Sequence, residues 1–310
     1  MSDSAASLQP TPPPGGWSIE QSFQFCQDVA RRDTHNFPVA TWLMPASVRR
    51  YAACLYAFAR LADNWADEPR YRDQREALLD AWSTALDDCG DGRGDGRGDG
   101  RATHPVFIAL RETIVTFDIP TVQLRLLLDA VRQDLSVTRY ATREELLDYC
   151  RRSANTAGRL VLTLLGYRDE QVGRLSDAIC TGHALVNFWQ EVGEDWARGR
   201  IYIPQEDLAR FGCDPDDLDS QRTKQNLAHL IADEITWTRG FFRVGWPLCE
   251  RIQGRMGLEL RLIWWSGYQA LKRLEADRHV LLTRASSLTS GDKLAILWHI
   301  VMGHRPWSET

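Results

Sequence analysis

Lysine is scarce in this chain. Lys224, Lys272 and Lys293 are the only three, so arginine carries almost all of the positive charge. Anion contacts are therefore expected to be guanidinium contacts. Basic clusters are missing as well: 37 Lys plus Arg stand against 42 Asp plus Glu, a formal charge of −5. Without a basic stripe to meet phosphates, nucleic-acid binding is not expected. The seven cysteines are scattered and contain no C-x-x-C pair, which excludes a zinc ribbon and argues against a disulfide framework. No run of 18 apolar residues is present, so no segment is expected to span a bilayer. Residues 1–16, rich in Ser, Pro and Gly, lack the basic-then-apolar order of a secretory signal. A reduced, cytoplasmic protein is the expectation, with contact at the inner face of a membrane left open.

What is present is ordinary globular material: 310 residues, 44% hydrophobic and 25% charged. Length alone suggests about two domains, but no linker-like stretch divides the chain. Gly90–Arg101 repeats Gly-Asp-Gly-Arg. Its glycines fall at every second position with no strand before them, so it reads as a low-complexity loop and not as a phosphate cradle. No proline occurs between Pro120 and Pro204, and apolar residues recur at three-and-four spacing, as in Leu124, Leu127, Leu128 and Val131. Helices are expected at 18–32, 46–66, 72–88, 104–117, 121–138, 142–165, 169–196, 222–250, 256–283 and 289–302, with no strands. The reading is a lead over 1–16 followed by one all-α domain over 17–310.

Two acid clusters interrupt this pattern. In the first, Asp63 and Asp67 lie four residues apart on one helix face, with Arg60 three residues earlier on the same face. From Tyr51 to Ala62 the only charge is Arg60 and apolar residues occupy every side, so the helix is expected to be interior. Buried carboxylates are costly unless paired or bound to a cation. In the second, no formal charge appears from Ile179 to Gln190, and then Asn187, Glu191 and Asp195 follow at i, i+4 and i+8. At about 100° per residue they spread over only about 80° of one helix. A rim salt bridge with Arg198 or Arg200 is the plainer explanation of one such cluster; two are harder to dismiss. Oxygen-only ligands suit a hard cation such as Mg²⁺, which takes a few carboxylates, waters and substrate phosphates. A di-iron centre would want Glu-x-x-His pairs, which the chain lacks.

A third element runs from Tyr149 to Arg159. Its small residues at i and i+4, Ser153 with Ala157 and Ala154 with Gly158, allow a close approach. Tight helix packing and an apolar substrate chain account for that spacing equally well. The aromatics Tyr56, Phe58, Tyr149, Phe188, Trp189 and Tyr202 are candidates to wall a cavity and to stabilise cations through their ring faces, although most aromatics are simply core.

Taken together, these segments resemble the squalene/phytoene synthase family, over about Phe23 to Leu282. The resemblance rests on Asn36-Phe-Pro-Val-Ala, on Tyr56-Ala-Phe-Ala-Arg60-Leu-Ala-Asp63-Asn-Trp-Ala-Asp67-Glu68 and on Tyr149-Cys-Arg-Arg-Ser-Ala-Asn. It rests also on Asn187-Phe-Trp-Gln-Glu191-Val-Gly-Glu-Asp195-Trp and Gly199-Arg-Ile-Tyr-Ile-Pro-Gln-Glu-Asp-Leu208. Within the family, the Asn36 segment, Ser153-Ala-Asn155 and Asn187-Phe-Trp-Gln190 are most similar to the bacterial hydroxysqualene synthase branch of hopanoid biosynthesis. The resemblance implies a single isoprenoid-synthase-type helical bundle with a central cavity, toward which both acidic faces turn. It implies that Asp63, Asp67, Asn187, Glu191 and Asp195 bind Mg²⁺ and diphosphate, that Arg60 touches the diphosphate, and that Asn36 and Phe37 belong to the segment closing over the substrate head. Tyr56, Tyr149 and Tyr202 match cavity tyrosines, and Ser153, Asn155, Gln190 and Arg200 complete the expected substrate contacts. Four positions depart from the family pattern: Glu191 and Asn64 where Asp is usual, Asp33 where His is common, and Ala184 where Gln is common.

The implied substrate is a prenyl diphosphate, presqualene diphosphate above farnesyl diphosphate, and the implied partners are other hopanoid-pathway enzymes. A presqualene diphosphate synthase and an NADPH-dependent squalene synthase share the fold and stay open, as does a non-catalytic helical lipid-binding protein. The apolar run Leu294–Met302, followed by Trp307, reads either as a closing core helix or as a membrane contact.

Overall fold

The computed structural model describes residues 10–32, 44–90, 104–214, 216–217, 220–282 and 284–306. Asn36, Phe37, Asp33 and most of the Gly-Asp-Gly-Arg loop lie outside the described residues. Among the described residues there is no strand, and the one ladder contact is an isolated parallel bridge between Arg139 and Ile201. The chain forms two compact units, one from 1–136 with 159–168, the other from 137–158 with 169–310.

The first unit holds α1 (Ile19–Arg32), α2 (Ala46–Asp67), α3 (Arg75–Gly90), α4 (Pro105–Phe117), α5 (Thr121–Gln133) and the later part of α7 (Thr156–Leu164). Its core is aromatic and leucine-rich. Trp82 meets Phe107 edge-on at 4.4 Å and Trp65 at 4.7 Å, and its indole N–H donates to the Phe58 carbonyl at 3.2 Å, so a large apolar ring is buried without a lost hydrogen bond. Leu61, Leu79, Leu86, Leu110, Leu124 and Leu128 fill the spaces between the rings. Each such side chain stabilises the fold by about 1.5–3 kcal/mol on burial.

The second unit holds α6 (Arg143–Cys150), a π turn (Arg151–Asn155), the start of α7, α8 (Glu170–Gln190), α9 (Val192–Ala197), α10 (Gln205–Arg210), α11 (Gln221–Arg251), α12 (Gly254–Asp277) and α13 (Ser290–Val301). Side-chain caps fix several of the starts: Thr142, Asp169 and Ser220 each accept from a backbone N–H of the following turn, and Thr289 with Asp292 forms a capping box. The long helices α8, α11 and α12 pack around Phe242, whose ring lies where side chains at Gly182 and Gly267 would be; a Cβ on Gly267 would sit 2.4 Å from it. Trp189 donates to the Thr238 hydroxyl at 2.9 Å and Trp264 to the Phe242 carbonyl at 2.8 Å, joining α8 to α11 and α12 to α11.

The expected helices are present, with five differences, one being that the helix expected over 256–283 ends at Asp277. The helix expected over 121–138 stops at Gln133, because the following residues run beside 201–205: Ile201 N–H donates to the Thr138 carbonyl and Gln205 N–H to the Tyr140 carbonyl. The helix expected over 142–165 contains the π turn, where the Thr156 hydroxyl donates to the carbonyl of Arg151 five residues back. The helix expected over 169–196 breaks at Glu191. The short helix α10, entered through Pro204 with Glu206 and Asp207 in its first turn, is additional.

Candidate active site

In the first unit the site residues lie on α2. Tyr51 through Ala66 is buried except for Tyr56, Ala59, Arg60, Asp63 and Asn64. These positions, with exposed Asp67, fall on one side of the helix at 3.6 residues per turn. The expected interior helix is thus present, but its acids are not interior: Asp63 is half-buried and Asp67 exposed, because both sit on the one stripe that packing leaves uncovered. Arg60 Nη1 donates to Asp63 Oδ2 at 2.7 Å. That pair neutralises one of the two acids locally.

In the second unit the stripe Asn187–Glu191–Asp195 crosses the junction of α8 and α9. Glu191 ends one helix and starts the next at φ −103° and ψ 10°, yet the four-residue ladder survives: Glu191 N–H donates to the Asn187 carbonyl at 3.0 Å and Asp195 N–H to the Glu191 carbonyl at 2.8 Å. Gly193 sits at the break. A Cβ there would stand 2.6 Å from the Leu282 carbonyl oxygen and 2.8 Å from that of Leu281, so only glycine lets that strand of backbone approach.

The charges of this second stripe are not balanced. Asp195 is buried, while Asn187 and Glu191 are exposed. Burial and the neighbouring Glu191 push the Asp195 carboxyl up to about 6, against the opposing pull of Arg198 and Arg200. Partial desolvation of its carboxyl and the like charge of Glu194 raise Glu191 likewise, although the residue as a whole is exposed. Each of these acids pays for its charge, and a cation beside them would relieve the cost. Among the described residues, no three His, Cys, Asp or Glu side chains gather as a metal centre. Mg²⁺ does not require three, since one or two carboxylates suffice when waters and phosphate oxygens complete the shell.

Beside this stripe lies a cluster of four aromatic rings. Phe188 and Tyr202 stack at 4.1 Å and 6°, Tyr140 stacks on Tyr202 at 5.8 Å, and Tyr149 lies 5.7–6.2 Å from all three. Tyr149, Phe188 and Tyr202 were legible from their motifs. Tyr140 was not, and only the pairing of 138–141 with 201–206 brings it in; Tyr140 itself carries no sequence signal.

The other expected contacts are engaged within the fold. Ser153 donates to the Tyr149 carbonyl at 2.8 Å, the buried Asn155 amide oxygen accepts from the Thr181 hydroxyl at 2.9 Å, and Gln190 Nε2 donates to the Ser286 carbonyl at 2.9 Å. Arg200 N–H donates to the Asp195 carbonyl at 2.9 Å. For Gly158 the packing explanation of the small residues holds: a Cβ would stand 2.5 Å from Cys180 Sγ on α8. Sequence also missed a buried charge network on α6, α10 and α11. Arg143 donates to Asp207 at 2.8 Å and to Asp233 at 2.7 Å, lies 3.4 Å from fully buried Glu234, and covers the Trp237 ring.

This all-α architecture, with two acid-bearing helical stripes, is that of the isoprenoid synthases. Residues 30–290 match the squalene/phytoene synthase family model. The chain is 33% identical to squalene synthase HpnC from Alicyclobacillus acidocaldarius, with a TM-score of 0.76 over 84% of this chain and 95% of that one. It is 30% identical to phytoene synthase of Arthrospira platensis over 89% of this chain and 91% of the relative, and 29% identical to 15-cis-phytoene synthase of Synechocystis over 90% and 84%. A dehydrosqualene synthase structure shares the fold, with a TM-score of 0.78 over 92% of this chain and 97% of that one at 22% identity. The chain belongs to the squalene/phytoene synthase family. It is thereby a prenyl diphosphate synthase of the squalene and phytoene type.

Proposed function

We propose that the protein is a hydroxysqualene synthase, converting presqualene diphosphate and water to hydroxysqualene and diphosphate. One observation carries the chemistry: in a single unit, an acid stripe whose charges are incompletely offset, Asn187–Glu191–Asp195, adjoins a cluster of four aromatic rings, three of them stacked. The stripe suits the ionising end of a diphosphate ester and the rings suit the carbocation it leaves behind. The choice of presqualene diphosphate is supported by the Asn36-Phe-Pro-Val-Ala, Ser153-Ala-Asn155 and Asn187-Phe-Trp-Gln190 segments and by the likeness to squalene synthase HpnC.

In this reading Asn187, Glu191 and Asp195 on the second unit, and Asp63 and Asp67 on the first, are the oxygen ligands for Mg²⁺. When bound, Mg²⁺ supplies charge neutralisation for the departing diphosphate. Arg60 and Arg200 hold diphosphate oxygens, and Tyr56 contacts the prenyl chain. Cleavage of the carbon–oxygen bond leaves both electrons on diphosphate and a cyclopropylcarbinyl cation on the lipid. Tyr140, Tyr149, Phe188 and Tyr202 face that cation with ring electrons and limit access of bulk water. After rearrangement one water adds and loses a proton. Tyr149, Tyr202 and Asn155, whose amide oxygen already accepts from the Thr181 hydroxyl, are the candidates to orient that water.

The test is incubation of the purified protein with presqualene diphosphate and Mg²⁺, without reductant, with identification of the released lipid. Hydroxysqualene with stoichiometric diphosphate is the expected result. The named phytoene synthase relatives favour a second reading, so geranylgeranyl diphosphate is assayed in parallel. Phytoene from geranylgeranyl diphosphate, with presqualene diphosphate left intact, would overturn the assignment.

A further inference from the structure

The C-terminal helix α13 is exposed on one side in an unusual way. Leu294 is 68% exposed, Leu297 54%, Trp298 58% and Met302, its C-cap, 51%. At about 100° per residue these four fall on one stripe. The opposite side of the helix packs inward through Ile296. The helix's one acid, Asp292, points away from the stripe and is engaged by Thr289 and Gln269. Elsewhere the large exposed apolar side chains are dispersed, as Val115 and Val122 are, and such single residues need no explanation.

Cations flank the stripe. Lys293, one turn before Leu297, is exposed. At the C-terminal end lies a pocket of about 220 Å³ lined by Trp265, Tyr268, Lys272, His299, His304 and Arg305. No acid lines it. His299 stacks on the Trp265 ring at 4.0 Å and 2°, its Nδ1 lies 3.2 Å from Nδ1 of His304, and Lys272 sits 5.5 Å over the Tyr268 ring. His299 and Lys272 are thus both held on aromatic faces. Arg305 reaches Glu250 at 3.2 Å, outside the lining.

We propose that α13 and this pocket form a docking surface for an anionic phospholipid bilayer, with the apolar stripe entering the acyl boundary and the pocket taking a lipid phosphate. A second copy of the chain is a poorer occupant. Four side chains cover far less than the roughly 800 Å² per partner of a stable interface, and a two-fold contact would set Lys293 and the pocket cations of one copy against those of the other. Twelve residues span about 18 Å, short of the roughly 30 Å hydrocarbon core, so the helix lies on the membrane and does not cross it. Among the described residues no helix is long and apolar enough to cross.

The test is co-sedimentation of the full chain with vesicles of equal parts phosphatidylglycerol and phosphatidylcholine, against phosphatidylcholine alone. Binding is expected to the anionic vesicles, at least about tenfold tighter than to the neutral ones. Leu294→Gln with Leu297→Gln should weaken it about tenfold or more, and Lys272→Gln with Arg305→Gln severalfold, each with the thermal midpoint and turnover of detergent-dispersed substrate unchanged. Inorganic phosphate at matched ionic strength should leave the complex intact; complete displacement would mean that the pocket serves a free phosphate, and would overturn the lipid assignment. So would equal binding by the Leu variants, or light scattering that shows a dimer which those variants dissociate.

Discussion

The two acidic stripes solve the same electrostatic problem differently. On α2 the helix is continuous, Asp63 is paired with Arg60 at 2.7 Å, and Asp67 is in solvent. Across α8 and α9 the helix is broken, Asp195 is buried, and burial together with Glu191 raises its pKa against the weaker pull of Arg198 and Arg200. The first stripe is stable as it stands. The second carries like-charge repulsion that folding has not relieved, and it is the one with more to gain from a divalent cation. The second stripe is the energetically costlier of the two, whereas in the first Arg60 balances one of the two acids.

Changing the second stripe should have the largest consequence. Asp195→Asn is expected to lower diphosphate release about 10³-fold without lowering the thermal midpoint, since it removes a buried charge whose desolvation Arg198 and Arg200 only partly offset. Full activity in this variant would erase the contrast. Gly193→Ala tests whether close backbone approach creates the break; a Cβ 2.6 Å from a carbonyl oxygen should cost about 1–3 kcal/mol in urea unfolding. A cost near zero would show that the 281–282 backbone can yield.

Glu234 asks whether the second unit tolerates other costly acids. Burial, against the pull of Arg143, pushes its carboxyl from 4.5 up to about 8. The folded state therefore binds a proton that the unfolded state has released. The stabilisation is complete below about 4.5 and is lost as pH rises through about 8, with a slope of up to about 1.4 kcal/mol per pH unit. Glu234→Gln should flatten the stability profile across that window, read by denaturant titration at several pH values. An unchanged profile would assign the slope to another group. The smallest effect is reserved for the first stripe: Asp63→Asn should shift stability by less than about 1 kcal/mol, because the Arg60 pair is half in water. A larger loss would mean that the pair holds α2 in place.

Much of this was readable from the sequence, and the exceptions share a cause. Periodicity locates the helices because each buries one face locally, and the spacings of Asp63 with Asp67 and of Asn187 with Asp195 follow from the helix alone. The break at Glu191 is invisible, since the three ligand positions keep their four-residue rhythm through it; the cause is Gly193 meeting a backbone some ninety residues later. Tyr140 and the Arg143–Asp207–Asp233–Glu234 network are likewise made by contacts between distant segments. Asp67 was expected inside because its helix is, but a helix can be interior everywhere except along one line.

The π turn at Arg151–Asn155 has a consequence for variation among related chains. One extra residue in a turn advances the helix by about 100°, so it works as a phase shifter: everything after it presents a different side from the one an uninterrupted spiral would show. Gly158 meets Cys180 only in that shifted phase. A one-residue deletion in this stretch would not shorten a tolerant connector but would take Gly158 out of register with Cys180, so gain or loss of a residue there should be far rarer than in the Gly-Asp-Gly-Arg repeat.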